Sequence, residues 1–446
     1  MIDLRTDLAG QVLDLVAAAT NGTAEAEVTV ASGAMALTRF ANSFIHQNVA
    51  ETADSVRLRL HVDGRTASYY TTLTSPDGLS RLVEQTLSAA KLRPEDPGWP
   101  GLTPPTPPTA AGNFDPATAE ATPAQRAALV RAFVDAAGGL ETAGFCRTTG
   151  TATTYANSAG HALTARSTTA AADGIARTGT SDGMARAAAI GLAGLDGTAL
   201  GARAAAKARD GANPGDLAPG RYEVVLEPTA VADVLEFHTR LGFNARAVAE
   251  GRSFASLGDQ QFDAAITLVD DPLDADAPGP PFDADGTPKR PLELVRAGVT
   301  SAIAHDRRTA KLLDAETTAH AIPGGERFGA IPLHPRIRPG GGTDLVAGVE
   351  RGLLVTDLWY TRVLDPKTLV VTGLTRNGVW LVERGEIVRP VRNLRFTQSY
   401  LGALAPGKVA AVSAETATVP SYWPETAIAT PSLHLASWNF TGGAAG

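Results

Sequence analysis

An alternation of apolar and polar residues that ends in a tight turn restricts this chain's fold more than any other feature. Residues 56–62 read VRLRLHV, in which every second side chain is apolar, as in a strand with one buried face. Asp63-Gly64 follows, a pair that favours a two-residue hairpin turn because both positions need positive φ. Residues 66–72 supply the returning strand. The two strands of a hairpin are antiparallel, so the chain must contain an antiparallel sheet.

Other segments extend this pattern. Residues 145–190 predict an antiparallel meander of short strands rich in Thr and Ala. Residues 353–396 are strongly β, with a predicted hairpin turn at Asn377-Gly378 and a second turn at residues 383–386. Strands do not alternate regularly with crossover helices, as they would in a doubly wound sheet. We therefore predict an α+β fold, with mostly antiparallel sheets and a few flanking helices.

Apolar residues at helical spacing mark the helices. The predicted helices cover residues 4–19, 77–92, 123–137, 201–209 and 229–249. The last follows a predicted strand at 221–226, and its apolar face carries Val231, Val234, Leu235, Leu241 and Val248.

The length of 446 residues favours two domains. A proline-rich stretch at residues 92–122 predicts an extended surface loop. Residues 211–216 (GANPGD) interrupt the pattern of helices and strands. We predict an N-terminal α+β domain at residues 1–215, including the loop at 92–122, and a β-rich C-terminal domain at residues 216–446.

Charge and composition exclude several classes of protein. The formal net charge is −8, whereas nucleic-acid binders depend on clustered Lys and Arg. No apolar run approaches the roughly 20 residues that span a bilayer, and the first residues lack a signal-peptide pattern. Cys146 is the one cysteine, which suits a reducing compartment. We expect a cytoplasmic protein that binds neither nucleic acid nor membranes.

Three short motifs match known signatures without the context these require. Residues 179–183 (GTSDG) lack the strand and helix that flank a nucleophile elbow. Residues 88–91 (SAAK) stand alone at a helix end. Residues 402–408 (GALAPGK) resemble a phosphate-binding loop, but Val409 stands where Ser or Thr has to hold Mg²⁺. None of the three indicates a catalytic site.

The pattern of possible metal ligands is equally sparse. Residues 270–288 hold six aspartates without calcium-loop spacing, and their prolines predict a solvated loop. No two of the eight histidines lie three to five residues apart, and His238 is the only one on a predicted helix. We interpret Cys146 as a buried structural thiol. The residues therefore predict no catalytic site, no metal and no cofactor.

Three stretches of the second half resemble the TldD/PmbA family. They are residues 234–253 (VLEFHTRLGFNARAVAEGRS), 340–359 (GGGTDLVAGVERGLLVTDLW) and 374–396 (LTRNGVWLVERGEIVRPVRNLRF). The first is similar to the helix and loop that hold the active site in catalytic members. Residues 39–63 and 67–91 are compatible with the family's N-terminal strands and helix, so the resemblance covers nearly the whole chain.

The resemblance implies one of two subunit types. TldD-like chains are zinc metalloproteases with His-Glu-x-x-x-His on this helix and a late Cys ligand, whereas TldE/PmbA-like chains lack these ligands and pair with TldD. Ungapped alignment places Glu236 and Leu241 at about the two His positions, and no Cys follows Cys146. Leucine cannot coordinate zinc, which needs three or four protein ligands. The chain is therefore similar to the TldE/PmbA type.

The resemblance also implies a function. We expect a non-catalytic subunit that acts with a TldD-like partner on peptides or unfolded segments held in extended form beside a sheet edge, with roles in peptide processing or gyrase-linked control. The isolated chain is expected to form a homodimer. Two alternatives stay open. The chain is either an active hydrolase with an unrecognised site, such as His238 with Glu236, or a stand-alone homodimeric peptide-binding or regulatory protein.

Overall fold

The first half of the chain forms one six-stranded antiparallel sheet in the computed structural model, which describes residues 3–421 and 426–443. Its strands are β1 (Glu25–Ala41), β2 (Phe44–Val62), β3 (Arg65–Thr71), β4 (Glu141–Asn157), β5 (Ala162–Arg177) and β6 (Asp182–Ala189). Their order is β3-β2-β1-β4-β5-β6. The turn predicted at Asp63-Gly64 is confirmed, with φ values of 51° and 71°.

Five helices belong to this half. They are α1 (Thr6–Thr20), α2 (Pro76–Leu92), α3 (Pro116–Ala119), α4 (Pro123–Ala136) and α5 (Gly197–Asp210). α1 and α2 pack Val12 and Leu79 with Val28 of β1 in one core cluster. α4 and α5 pack Phe133 and Ala204 with residues of β4 and β5 in another. The apolar stripes that predicted these helices therefore face the sheet.

The second half holds most of the remaining elements. Its helices are α6 (Pro228–Phe237), α7 (Ala245–Ala249), α8 (Arg307–Leu312) and α9 (Tyr400–Ala403). Its strands are β7 (Gly220–Leu226), β8 (Leu268–Asp270), β9 (Leu292–Arg296), β10 (Val299–Thr300), β11 (Pro335–Ile337), β12 (Arg351–Asp365), β13 (Val370–Glu383), β14 (Glu386–Pro390), β15 (Leu394–Ser399), β16 (Val409–Pro420) and β17 (Ala427–Gly443). β8–β11 form a small four-stranded sheet, and the others form a seven-stranded sheet.

Five strands of the larger sheet close into a ring. β7 pairs with β12 and β17, β15 pairs with β17 and β13, and β13 pairs back with β12. Only the β7–β12 pair within this ring is parallel. Phe396, Leu433 and Trp438 from the ring share a buried core with Val231 and Leu235 of α6. The fold is thus α+β with mostly antiparallel sheets, as predicted.

The hairpin turn predicted at Asn377-Gly378 is wrong. Both residues lie inside β13, where the register with β12 slips between Val355 and Asp357. Their φ values of 57° and 135° suit a β-bulge as well as a tight turn, so the dipeptide alone does not distinguish the two. The turn predicted at residues 383–386 is confirmed, since Arg384 and Gly385 have positive φ and connect β13 to β14.

The meander predicted at residues 145–190 is antiparallel, but its strands are long rather than short. β4 and β5 contain 17 and 16 residues and pair along almost their whole length. Small Ala and Thr side chains carry no strong alternation, so the sequence shows where these strands turn better than how far they run.

Residues 270–288, which we call the acidic loop, were predicted to be solvated. Three of their aspartates are buried instead. Asp270, Asp283 and Asp285 are only 1–4 % exposed. Asp270 accepts the His334 amide at 2.7 Å and contacts His320 Nε2 at 3.0 Å. Buried carboxylates persist where hydrogen bonds or counter-ions replace water, and these partners lie far away in sequence.

Arg59 on β2 joins the first sheet to the acidic loop. Its guanidinium donates to Glu27 on β1 and, at 2.6 Å, to Asp285 Oδ1. Glu27 also accepts the Tyr155 hydroxyl at 2.8 Å. The Arg59 side chain is 18 % exposed and the two carboxylates 5–6 %. One cation therefore neutralises two buried acids from opposite halves of the chain.

The predicted boundary at residues 215/216 falls between α5 and β7 and stays a prediction. The proline-rich segment before α4 contacts the second half, since Arg308 forms a two-fold ion pair with Asp96 at 2.7 and 2.6 Å. Lys311 donates to the Trp99 carbonyl at 2.6 Å.

Among the described residues, no helix has both the length and the apolar character needed to cross a membrane.

Substitution of Arg59 tests the buried ion pairs. Arg59→Met is expected to lower the free energy of unfolding by about 3–5 kcal/mol, because it leaves Glu27 and Asp285 buried without their cation. The matched control is Arg177→Met, which breaks a more exposed pair with Asp182 and should cost about 0–1 kcal/mol. Urea unfolding followed by circular dichroism measures both. Equal losses in the two variants would contradict the role given to Arg59.

Candidate functional site

The helix predicted over residues 229–249 is interrupted. α6 ends at Phe237, and His238–Gly242 forms a π turn in which the Phe243 amide donates to the His238 carbonyl at 3.0 Å. α7 then begins behind Asn244, whose side chain accepts from two backbone amides. A Cβ at Gly242 would collide with the Phe254 ring. The prediction of one continuous helix is therefore wrong, because a cap and a close ring contact break it.

Of the two positions aligned with metal ligands, Glu236 lies near the end of α6 and Leu241 lies within the π turn. Glu236 and Leu241 are five residues apart, and on a regular α-helix they would point roughly 140° apart. A π turn bonds residue i to residue i+5 and so brings residues at this spacing toward one face. The backbone therefore has the form that a ligand pair at this spacing needs, although neither residue is His.

A cluster of buried acids lies on the Glu236 side of α6. Asp233 Oδ2 accepts the Tyr400 hydroxyl at 2.6 Å and the Thr361 hydroxyl at 3.0 Å. Burial, together with the nearby charges of Glu236 and Asp357, raises the pKa of Asp233 to about 7. Burial likewise raises the pKa of Asp357 to about 6. Glu236 itself accepts the Ser421 hydroxyl at 2.5 Å. The site is acidic, and Asp233 and Glu236 are hydrogen-bonded, whereas Asp357 Oδ2 has no hydrogen-bond partner among the described residues.

His238 points away from these acids. Its ring packs against Phe254 and Phe262 at centroid distances of 5.5 and 5.7 Å, and Nδ1 donates to the Val234 carbonyl at 2.8 Å. Burial lowers the pKa of His238 to about 4, so the ring is neutral at pH 7. His238 and Glu236 therefore do not form the pair that the hydrolase alternative would use.

The residues present do not fit the zinc ion of the catalytic chains that residues 234–253 resemble. Leu241 has no donor atom, which leaves Glu236 alone among the two aligned positions. Cys146 lies in β4, fully buried, and burial raises the pKa of its thiol to about 12. Within residues 3–421 and 426–443, no group of three or more His, Cys, Asp or Glu side chains is arranged to hold a metal.

The other sequence motifs lie apart from this site. Ser181 sits in the turn between β5 and β6, where its hydroxyl donates to the Ala208 carbonyl at 2.5 Å. A strand follows it instead of the helix of a nucleophile elbow. Residues 88–91 belong to α2, with Lys91 exposed. Residues 402–408 cover the end of α9 and the turn before β16.

Sequence reasoning missed Asp233, Asp357 and Tyr400. Asp233 carried a usable signal, since it is a carboxylate between the apolar residues Val231 and Val234 of a largely apolar helix. Nothing in the sequence connected it with Tyr400, which lies 167 residues further along the chain.

Comparisons with known proteins agree with this architecture. Residues 219–442 match a family described as the PmbA/TldA metallopeptidase C-terminal domain. No curated protein matches the chain. TldE from Thermococcus kodakarensis has a similar structure, with a TM-score of 0.86 at 18 % identity over 97 % of this chain and 100 % of that one.

Two further solved structures share the fold. Each is described as a modulator of DNA gyrase. The protein from Thermotoga maritima aligns with a TM-score of 0.83 at 19 % identity, over 96 % of this chain and 98 % of its own. The protein from Bacteroides thetaiotaomicron aligns with a TM-score of 0.83 at 19 % identity, over 99 % and 100 %.

The raised pKa of Asp233 predicts a pH effect on stability. Between about pH 4 and pH 7 the folded chain keeps a proton at Asp233 that the unfolded chain releases, so this group makes stability fall as pH rises. Asp233→Asn keeps the acceptor for Tyr400 and Thr361 but removes the titration. The variant should gain stability relative to the wild type between pH 5 and about pH 8.

Urea unfolding at the two pH values measures this gain. Asp14→Asn, on an exposed position of α1, is the matched control and should show no comparable gain. An Asp233→Asn variant whose free energy of unfolding differs from that of the wild type by the same amount at both pH values would contradict the raised pKa of Asp233.

Proposed function

Because the chain belongs to the PmbA/TldD family, we propose that it is the non-catalytic, TldE-like subunit of a two-component zinc metallopeptidase. The catalytic subunit would be a TldD-like chain, and the substrates would be peptides or unfolded segments. We place the assembly in the cytoplasm, since the lone thiol of Cys146 is free and buried, which suits a reducing compartment.

The side chains at the two aligned metal-ligand positions of the interrupted helix are the main support for this proposal. Glu236 and Leu241 occupy the aligned ligand positions, and a metallopeptidase needs protein ligands that hold zinc so that the bound water loses a proton near neutral pH. The π turn supports a shared ancestry with catalytic members, because it places residues five apart toward one face. The Glu236 carboxylate is occupied by Ser421, which favours a structural role at this position.

An end strand of the first sheet supports a role in holding peptide. β3 is the last strand at one end of this sheet, and the side chains of Tyr69 and Tyr70 on it are exposed. An extended peptide can pair with such an edge through backbone hydrogen bonds, which do not depend on its side chains. This mode suits a subunit that presents substrate to a partner's metal.

We further propose that the isolated chain pairs with itself when no TldD-like partner is present. An interface above roughly 1,000 Å² would separate such a dimer from incidental contacts. Light scattering at micromolar concentration should give the mass of two chains. A monomer under those conditions would contradict self-pairing but leave the pairing with a TldD-like partner untouched.

Reconstitution tests the proposed subunit role. The purified chain alone should leave an unstructured peptide intact, because it lacks a metal-activated water. A mixture with a TldD-like chain that carries His-Glu-x-x-x-His should cleave the peptide, and a chelator should abolish the cleavage. Mass spectrometry of the peptide after incubation with each chain and with the mixture provides the measurement.

A variant at the aligned position sharpens this test. Glu236→Gln should leave cleavage by the mixture unchanged, because the proposal gives Glu236 no part in catalysis. A loss of about 100-fold or more, the usual effect of removing a catalytic acid or base, would contradict it. Chelator-sensitive cleavage by this chain alone would do so as well.

A further inference from the structure

A pocket of about 300 Å³ lies between the first sheet and the acidic loop, and we call it the sheet–loop pocket. Strands β1, β2, β4 and β5 line one side, and residues 278–289, 321–326 and 333–334 line the other. Its volume is at the lower end of the range of small-ligand sites, which often form where two parts of a fold meet. The pocket does not include α6 or the π turn.

Two cations in this pocket lack carboxylate partners. Among the described residues, neither Lys289 nor Arg57 forms an ion pair within 4.0 Å, although both line the cavity. Arg57 lies beside Gly324 and near the Tyr70 ring, at 5.9 Å from its centroid. Burial lowers the pKa of Lys289, although Asp283 and Asp270 oppose this effect. A partly buried ammonium without a contact partner is costly and favours an anionic ligand.

The acids of the pocket are already engaged. Both oxygens of Asp283 accept backbone amides, from Asp285 and Thr287 on one side and from Ala321 on the other, at 2.9–3.0 Å. Glu27 pairs with Arg59, and Glu326 lies 3.8 Å from the same guanidinium. None of these acids forms an ion pair with Lys289 or Arg57 among the described residues, and burial raises the pKa of Asp283 to about 8.

The rest of the lining is apolar or neutral. Phe282, Ile322 and Leu333 contribute apolar surface together with Pro278, Pro280 and Pro323. His334 is 4 % exposed, and its Nδ1 is buried without a hydrogen-bond partner among the described residues. Burial lowers the pKa of His334 to about 4, so its ring adds a neutral polar group. The pocket thus combines two free cations with an apolar wall.

We propose that the sheet–loop pocket binds a carboxylate attached to an apolar group, with Lys289 and Arg57 as the cations that receive it. The free C-terminus of a peptide with an apolar last residue has this chemistry, and so does a small aliphatic carboxylic acid. Binding here goes beyond the subunit role proposed above and requires neither a metal nor a partner chain.

Calorimetry with the purified full-length chain at pH 7 and low salt tests this site. The probes are N-acetyl-Ala-Leu with a free carboxylate, its C-terminal amide and 4-methylpentanoate. The free acid should bind at least about 10-fold more tightly than the amide, because the charge-assisted contact is lost in the amide. Weaker binding of 4-methylpentanoate would identify a peptide end as the ligand, and equal or tighter binding a small carboxylic acid.

Substitutions test whether Lys289 and Arg57 bind the carboxylate of the ligand. Lys289→Met and Arg57→Gln should each weaken binding of the acid at least about 10-fold, whereas Lys91→Met, on the exposed end of α2, should not change it. An unfolding curve for each variant confirms that it is folded, and Arg57 is exposed enough for its substitution to spare the core. Equal binding of acid and amide, no binding of either, or undiminished binding by both folded variants would overturn the proposal.

Discussion

The guanidinium of Arg59 lies between carboxylates from opposite halves of the chain, and the contact between the first sheet and the acidic loop is organised around it. Glu27 reaches it from the neighbouring strand, and Asp285 reaches it from the loop. Asp285 also accepts the Arg307 amide at 3.3 Å and, through its carbonyl, the Thr103 hydroxyl at 2.6 Å. Removing one partner of a buried ion pair leaves an uncompensated charge, so this network fixes how these segments meet.

The interrupted helix combines a particular backbone shape with side chains that do not form a metal-ligand pair. The π turn at His238–Gly242 gives α6 the form that ligands five residues apart require, yet Glu236 and Leu241 provide no such pair. Of the surrounding acids, Asp233 accepts hydrogen bonds from Tyr400 and Thr361, whereas Asp357 Oδ2 is buried without a partner among the described residues. Function depends on particular side chains placed on a fold. Here the π turn is present, but the two aligned positions do not hold His.

Local patterns predicted those parts of the fold that depend on neighbours in sequence. The Asp63-Gly64 turn, the turn at residues 383–386 and the absence of a donor at Leu241 need only a few adjacent residues. The bulge at Asn377-Gly378 could not be distinguished from a turn, because both require positive φ. Burial of Asp285 could not be predicted, because its counter-ion Arg59 lies 226 residues away in the sequence. The π turn depends on contacts of Gly242 with Phe254 that no periodicity reveals.

The zinc content of the purified chain shows whether the interrupted helix holds a metal. The chain is incubated with an equimolar amount of zinc, dialysed against metal-free buffer and analysed by elemental mass spectrometry. Because the aligned positions hold Glu236 and Leu241, we expect no stoichiometric zinc in the wild type and no difference in the Glu236→Ala variant. About one zinc per chain that survives dialysis and is lost in Glu236→Ala would contradict this expectation, since structural and catalytic sites use three or four protein ligands.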